Sequence, residues 1–186
     1  MNKIVFLYLF LLLGQAKAVQ FEGFEFPLVV NVENESLVLN GLALRKATFL
    51  EIRILAAGLY LPQFASESSA VEKMDGRKQL QLCFLKNLSA KTIAKVWTEE
   101  LMKNCESSCS VIKEKARDLE KIITGIKKND LLTISFEKDR LDFRLNHQKR
   151  GWIDGSEFVL AFLRIWIGSR PINEDFKKDL LKQSLR

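Results

Sequence analysis

Residues 131–145 read LLTISFEKDRLDFRL, two short apolar runs on either side of a charged segment. Leu131 to Phe136 and Leu141 to Leu145 are expected to form two strands of an antiparallel hairpin that turns around Lys138-Asp139. Gly151-Trp152-Ile153-Asp154-Gly155 continues as a short strand and turn. Ser156 then reads as the N-cap of a helix over 157–167. That helix is apolar almost all round and therefore belongs in the interior. Gly168 closes it and Pro171 prevents its continuation. Asn173 caps a last amphipathic helix carrying Phe176, Leu180 and Leu181.

Upstream of the hairpin lies a pair of amphipathic helices. Ser89 caps the first, which runs to about Lys103 and aligns Ile93, Val96, Trp97 and Leu101 on one stripe. The second gathers Ile112, Leu119, Ile122, Ile123 and Ile126 on one face, and Asn129-Asp130 breaks it. Gln79 to Leu85 reads as a strand, preceded by the turn Asp75-Gly76 and a short helix within 66–74. The longest β-like stretch is Leu42 to Leu61, with Leu50, Ile52 and Ile54 sharing one face. Its end, Ala56-Ala57-Gly58-Leu59-Tyr60-Leu61, implies burial on both faces or a bulge at Gly58. Asn40-Gly41 is read as a turn, and Phe21–Phe26 and Leu37–Leu39 as short strands. Strands, a helix pair, a hairpin and two more helices make an α+β domain with one antiparallel sheet.

The N-terminus has the order of features that export requires. Lys3 is followed by the uncharged apolar run Ile4–Leu13, then by Ala16-Lys17-Ala18, the small-x-small pattern a signal peptidase accepts. Residues 1–18 are thus expected to be a cleaved signal peptide, leaving one domain over 19–186. The apolar run is well short of the ~20 residues that span a bilayer, so no transmembrane anchor is expected after cleavage. Loss of Lys3 and Lys17 takes the formal charge from +6 to +4. The remaining Lys and Arg are interleaved with acids, as in residues 113–121. That is the pattern of a solvated helix face, and it argues against a nucleic-acid partner.

Three cysteines are present, Cys83, Cys105 and Cys109. In an oxidising compartment Cys105 and Cys109 are near enough to bridge and leave Cys83 unpaired. The alternative is two free thiols at a helix end. His147 is the single histidine, far from any cysteine pair, so neither zinc nor a nucleophile–histidine pair is expected. No phosphate loop, calcium loop, nucleophile elbow or His-Glu-x-x-His is present, and no cofactor is expected.

Two motif groups carry a family resemblance. Asn40-Gly41-Leu42-Ala43-Leu44-Arg45-Lys46, followed by Ala56–Leu61, resembles the opening motif of the chalcone isomerase superfamily. Gly155-Ser156-Glu157-Phe158, leading to Ile165-Trp166-Ile167-Gly168-Ser169-Arg170-Pro171, resembles the C-terminal motif of its bacterial, exported branch. The resemblance spans about Phe24 to Leu181. It implies an open-faced β-sandwich: a large antiparallel sheet, helices packed on it, and a ligand cleft between the layers. Plant enzymes of the superfamily close a chalcone to a flavanone, whereas other branches are non-catalytic and some bind fatty acids.

On this resemblance Arg45 matches an arginine that faces the cleft, where a guanidinium can hold a carboxylate or enolate in a bidentate fork. Trp97, Glu100 and Asn104 fall where the plant enzymes carry tyrosine, lysine and asparagine, so only Asn104 agrees. Leu55 falls where the enzymes have a threonine. Ser156 matches a serine or threonine near the start of the penultimate helix, although it is explained equally well as an N-cap. The expected ligand-binding set is Arg45, Trp97, Asn104 and Ser156, with no residue given a catalytic role. The polar wall that cyclisation needs is largely lost. The expectation is therefore a periplasmic, non-catalytic binder of a small amphipathic ligand such as a fatty acid. Two alternatives stand beside it: an isomerase that uses Arg45, and a structural or partner-binding domain whose cleft is filled by its own side chains. Export predicts that N-terminal sequencing of secreted protein starts at Val19; material starting at Met1 would refute it.

Overall fold

In this computed structural model, residues 17–47 and 51–182 are described. The segment read as a signal lies outside them except for Lys17 and Ala18. Strands β1 (Ala18–Phe21) and β2 (Phe24–Pro27) form a small hairpin. Then follow β3 (Val29–Val32), β4 (Glu35–Ala47), β5 (Ile52–Leu61), α1 (Ser68–Lys73), β6 (Lys78–Phe84), α2 (Ala90–Asn104) and α3 (Cys109–Ile122). The chain ends with β7 (Leu131–Phe136), β8 (Arg140–Leu145), β9 (Gln148–Asp154), α4 (Ser156–Ile167) and α5 (Glu174–Leu180). Strands β3 to β9 lie side by side in sequence order in one antiparallel sheet.

Period-two alternation gives this sheet two chemically different faces. Leu80, Leu82 and Phe84 of β6, Leu132, Ile134 and Phe136 of β7, and Leu141, Phe143 and Leu145 of β8 face the helices. Helix α4 presses Phe158, Phe162, Ile165 and Trp166 into that layer, all buried. Its one charged residue beyond the first turn, Arg164, is held by Glu72 of α1 at 2.9 Å and by Glu106 at 2.8 Å. On the opposite face the β1–β2 hairpin covers a second, smaller core that includes Phe26, Leu39, Ala56, Tyr60 and Cys83. Burial there pushes the Cys83 thiol up to about 12.

Several elements differ from the sequence expectation, each for a physical reason. Phe21–Phe26 is two strands, because Glu22 and Gly23 turn with positive φ. Leu42–Leu61 is also two strands: Ala43 pairs with Ala57 and Leu44 with Ala56, so the chain folds back between β4 and β5. Leu50 lies outside the described residues. Asn40-Gly41 is no turn but the interior of β4, at a register shift. The Asn40 amide accepts from Ala65 N at 2.9 Å and donates to Ala65 O at 3.0 Å and Leu180 O at 2.9 Å. Gly41 is there because α5 crosses so closely that a Cβ would overlap the Leu180 carbonyl.

Gly58 carries no bulge. It is buried on both sides, and a Cβ would lie 2.8 Å from the Phe26 ring. Ile126 lies beyond the end of α3 and bridges to Leu88. Ser156 is the first residue of α4 and makes no side-chain cap; Gly155, at φ 124, occupies the cap position. Ser89 and Asn173 do cap, accepting from Thr92 N and Phe176 N.

The crossing of α5 over β4 is thus held by one amide and one missing side chain. Gly41→Ala should destabilise the protein by about 1–3 kcal/mol through overpacking. Asn40→Ala should cost a similar ~1–3 kcal/mol per buried group left unpaired. Urea unfolding midpoints measure both, and a midpoint unchanged in either variant would contradict this account.

Candidate functional site

The cleft lies between α2 and the ends of β4, β5 and β6. Helix α2 is anchored by the Ser89 cap and by Trp97, whose ring meets Phe162 edge-on at 5.2 Å and Trp166 at 5.8 Å. These aromatic rings fix the base of the gap. Above them a cavity of about 210 Å³ is lined by Ile54, Leu55 and Phe84 from the sheet, Thr92, Ile93, Val96 and Trp97 from α2, and Trp166 and Ile172. Ala47, Leu88 and Arg45 complete it. Arg45 is its one charged lining residue.

Arg45 stands opposite Leu55 in the β4–β5 ladder, next to the register shift between Arg45 and Lys46. Two residues on from Ala43, which faces the helices, Arg45 shares that face by alternation, and at the cavity wall its half-buried side chain donates to the Lys46 carbonyl. Burial lowers its pKa from the ordinary arginine value, and the Glu100 carboxylate opposes the shift. A guanidinium stays protonated despite such a shift, so the wall carries a fixed positive charge.

Glu100 is buried at 8% exposure. It lies one turn beyond Trp97 on the inward face. Lys103 folds back to its Oε1 at 2.6 Å, and its Oε2 has no hydrogen-bond partner. The indole N–H of Trp166 is likewise buried and unpartnered. The cavity wall therefore combines an apolar lining with a cation and a buried carboxylate near it.

Of the four residues assigned to ligand binding, the structure brings Arg45 and Trp97 together and leaves the other two apart. Asn104 lies about 10 Å further along α2. Its amide donates to Glu100 O at 3.0 Å and Arg170 O at 2.9 Å, tying α2 to the segment after α4. Ser156 is at the far end of α4, about 15 Å from Trp166 along the helix, on the rim of a different surface depression beside α1. Neither lines the cavity around Arg45. Lining residues that the sequence did not point to include Phe84, Thr92 and Ile172, which come from three separate segments. No group of His, Cys, Asp or Glu suited to a metal occurs among the described residues.

A curved antiparallel sheet with helices on one face and a cleft between the layers defines a ligand-cleft fold of the chalcone isomerase type. The chain belongs to the chalcone isomerase-like family, whose family model matches residues 18–182. Among solved structures it is similar to the crystal structure of a fatty-acid binding protein from Arabidopsis thaliana, with a TM-score of 0.71 and 16% sequence identity. That match covers 89% of this chain and 96% of the other. No curated protein sequence matches the chain.

Cys105 and Cys109 are disulfide-bonded, their Cα atoms 5.7 Å apart, directly after Asn104. The bridge closes the α2–α3 connection beside the Asn104 tether. For so short a loop, a Cys105→Ser, Cys109→Ser double variant should lose about 2 kcal/mol, read from thermal or urea unfolding. Unaltered stability would show that the bridge does not restrain this corner.

Proposed function

We propose that the protein is a non-catalytic binder of a small amphipathic carboxylate, a fatty acid or close analogue, held tail-inward in the cleft with its head on Arg45. The observation that carries this reading is the cavity itself: an apolar lining with a single guanidinium in its wall. A carboxylate there gains charge-assisted hydrogen bonds in a partly desolvated setting, while the tail replaces water against Ile54, Leu55, Ile93 and Trp97. The fatty-acid binding neighbour supports the same ligand class.

Cavity size narrows the ligand. At about 30 Å³ per water-sized group, 210 Å³ accommodates about seven such groups. This favours a short or medium acyl chain over a long one. The site is proposed to work outside the cytoplasm, in a bacterial periplasm, consistent with the N-terminal export pattern and with the Cys105–Cys109 bridge.

A second reading, an isomerase that uses Arg45 to hold an enolate, has the same cation in its favour. Against it, Trp97 and Leu55 stand where a phenol and a hydroxyl would be needed to hold the reacting oxygen. Calorimetry with fatty acids of increasing chain length tests the proposal, alongside an absorbance assay for chalcone loss. Arg45→Ala should cost ~1.5–3 kcal/mol, a tenfold to hundredfold loss of affinity. Affinity unchanged in that variant would remove the anchor, and chalcone turnover well above the spontaneous rate would install the isomerase reading instead.

A further inference from the structure

We infer that the outer face of the sheet, the one turned away from the helices, holds a second binding site: a polar groove that takes an acidic saccharide with its carboxylate on Arg144. The β1–β2 hairpin and the apolar cluster beneath it, which extends to Cys83 of β6 and Leu131 of β7, cover only part of this face. Beyond it lies a groove of about 610 Å³. Its floor is set by the strand registers. Gln81 stands beside Thr133 and Thr133 beside Arg144, with Gln79 beside Ser135 in the next row.

One wall of the groove is residues 30–32 of β3 with Glu33 just beyond them. Arg77 locks that wall by pairing with Glu33 and Glu137, each at 2.9 Å. The polar floor lies deep: Gln79, Thr133 and Ser135 line the groove but are each less than 8% exposed. Yet none of these side chains, nor that of Gln81, makes a hydrogen bond among the described residues, and Gln79 Oε1 is buried without any partner. Four adjacent amides and hydroxyls with unused hydrogen-bonding capacity are a recognition surface for a polyhydroxylated molecule.

Charge selects among such molecules. Arg77 is neutralised by its two carboxylates, Arg140 pairs with Asp154 and Lys149 with Asp142. Arg144, exposed beside Thr133 near the end of β8, has no hydrogen bond or ion pair among the described residues. It is therefore the cation available to a ligand carboxylate, and its fork suits that group. A peptide adding as a strand is disfavoured, because β6, β7 and β8 are all paired on both edges. A fatty acyl chain would leave the amide floor unsatisfied. The volume equals about twenty water-sized groups, the scale of a disaccharide.

Amide NMR titration of the purified protein with digalacturonate, and with maltose as its neutral counterpart, tests this site. Saturable shifts are expected at Gln79, Gln81, Thr133 and Arg144 at millimolar concentration or below. Maltose should bind at least ~tenfold more weakly, and Arg144→Gln, a substitution at an exposed position, should weaken digalacturonate roughly tenfold or more. Arg45→Ala should leave this binding unaltered, so the groove and the cleft stand or fall separately. No saturable shift on this face, equal affinity for maltose, or undiminished binding to the Arg144→Gln protein would each overturn the inference.

Discussion

Phe162 joins the two layers of the domain. Its ring contacts Trp97 of α2, Phe136 of β7, Phe143 of β8, and Phe158 and Trp166 of its own helix. Burying a ring of this size contributes a few kcal/mol, and removing one from a core typically costs about 3–5 kcal/mol. The larger consequence is geometric. Because close-packed aromatic rings tolerate few arrangements, Phe162 sets both the depth at which α4 lies in the sheet and the position at which α2 rests on α4.

The cleft follows from that placement. Trp97 and Trp166 fill the space nearest Phe162 and stop there, since a T-shaped contact extends only as far as the rings do. Toward the open ends of β4 and β5 the side chains shorten to leucine, isoleucine and alanine, and the layers part. Arg45 reaches the gap because it shares the helix-facing side of β4 with Ala43. A cation at this depth loses solvation, and the Glu100 carboxylate offsets part of that loss from the next turn of α2. The charge is thus a built component of the wall, and an anionic ligand competes with Glu100 for it.

Much of the fold was legible in the sequence, and the exceptions have a common cause. Strands β6, β7 and β8 show clean period-two alternation because one face is apolar core and the other polar, and the caps at Ser89 and Asn173 use local chemistry that a sequence displays. Asn40-Gly41 misleads because its composition is that of a turn while its reason is tertiary: α5, about 140 residues later, needs a close approach and a buried amide. The reversal between β4 and β5 is hidden likewise, since nothing between Lys46 and Arg53 is a glycine or proline. At the site, Arg45 was legible through family resemblance and Trp97 through the α2 stripe as well. Asn104 and Ser156 matched motif positions but serve as a helix tether and a helix start. A motif records sequence order, whereas the cavity is assembled from segments whose proximity only packing determines.

The sheet also keeps its two faces chemically independent. Along β6, Leu80, Leu82 and Phe84 point toward the helices while Gln79, Gln81 and Cys83 point outward, so neighbouring residues belong to different environments. A one-residue slip in β6 would put two glutamines into the core and three large apolar groups on the polar groove. The hydrogen-bond ladders to β5 and β7 and the Arg77 pairs at the start of the strand oppose such a slip. The cost of exchanging the faces is therefore what holds both in register. A substitution confined to one face alters that face alone, unless it changes volume enough to shift the strand itself.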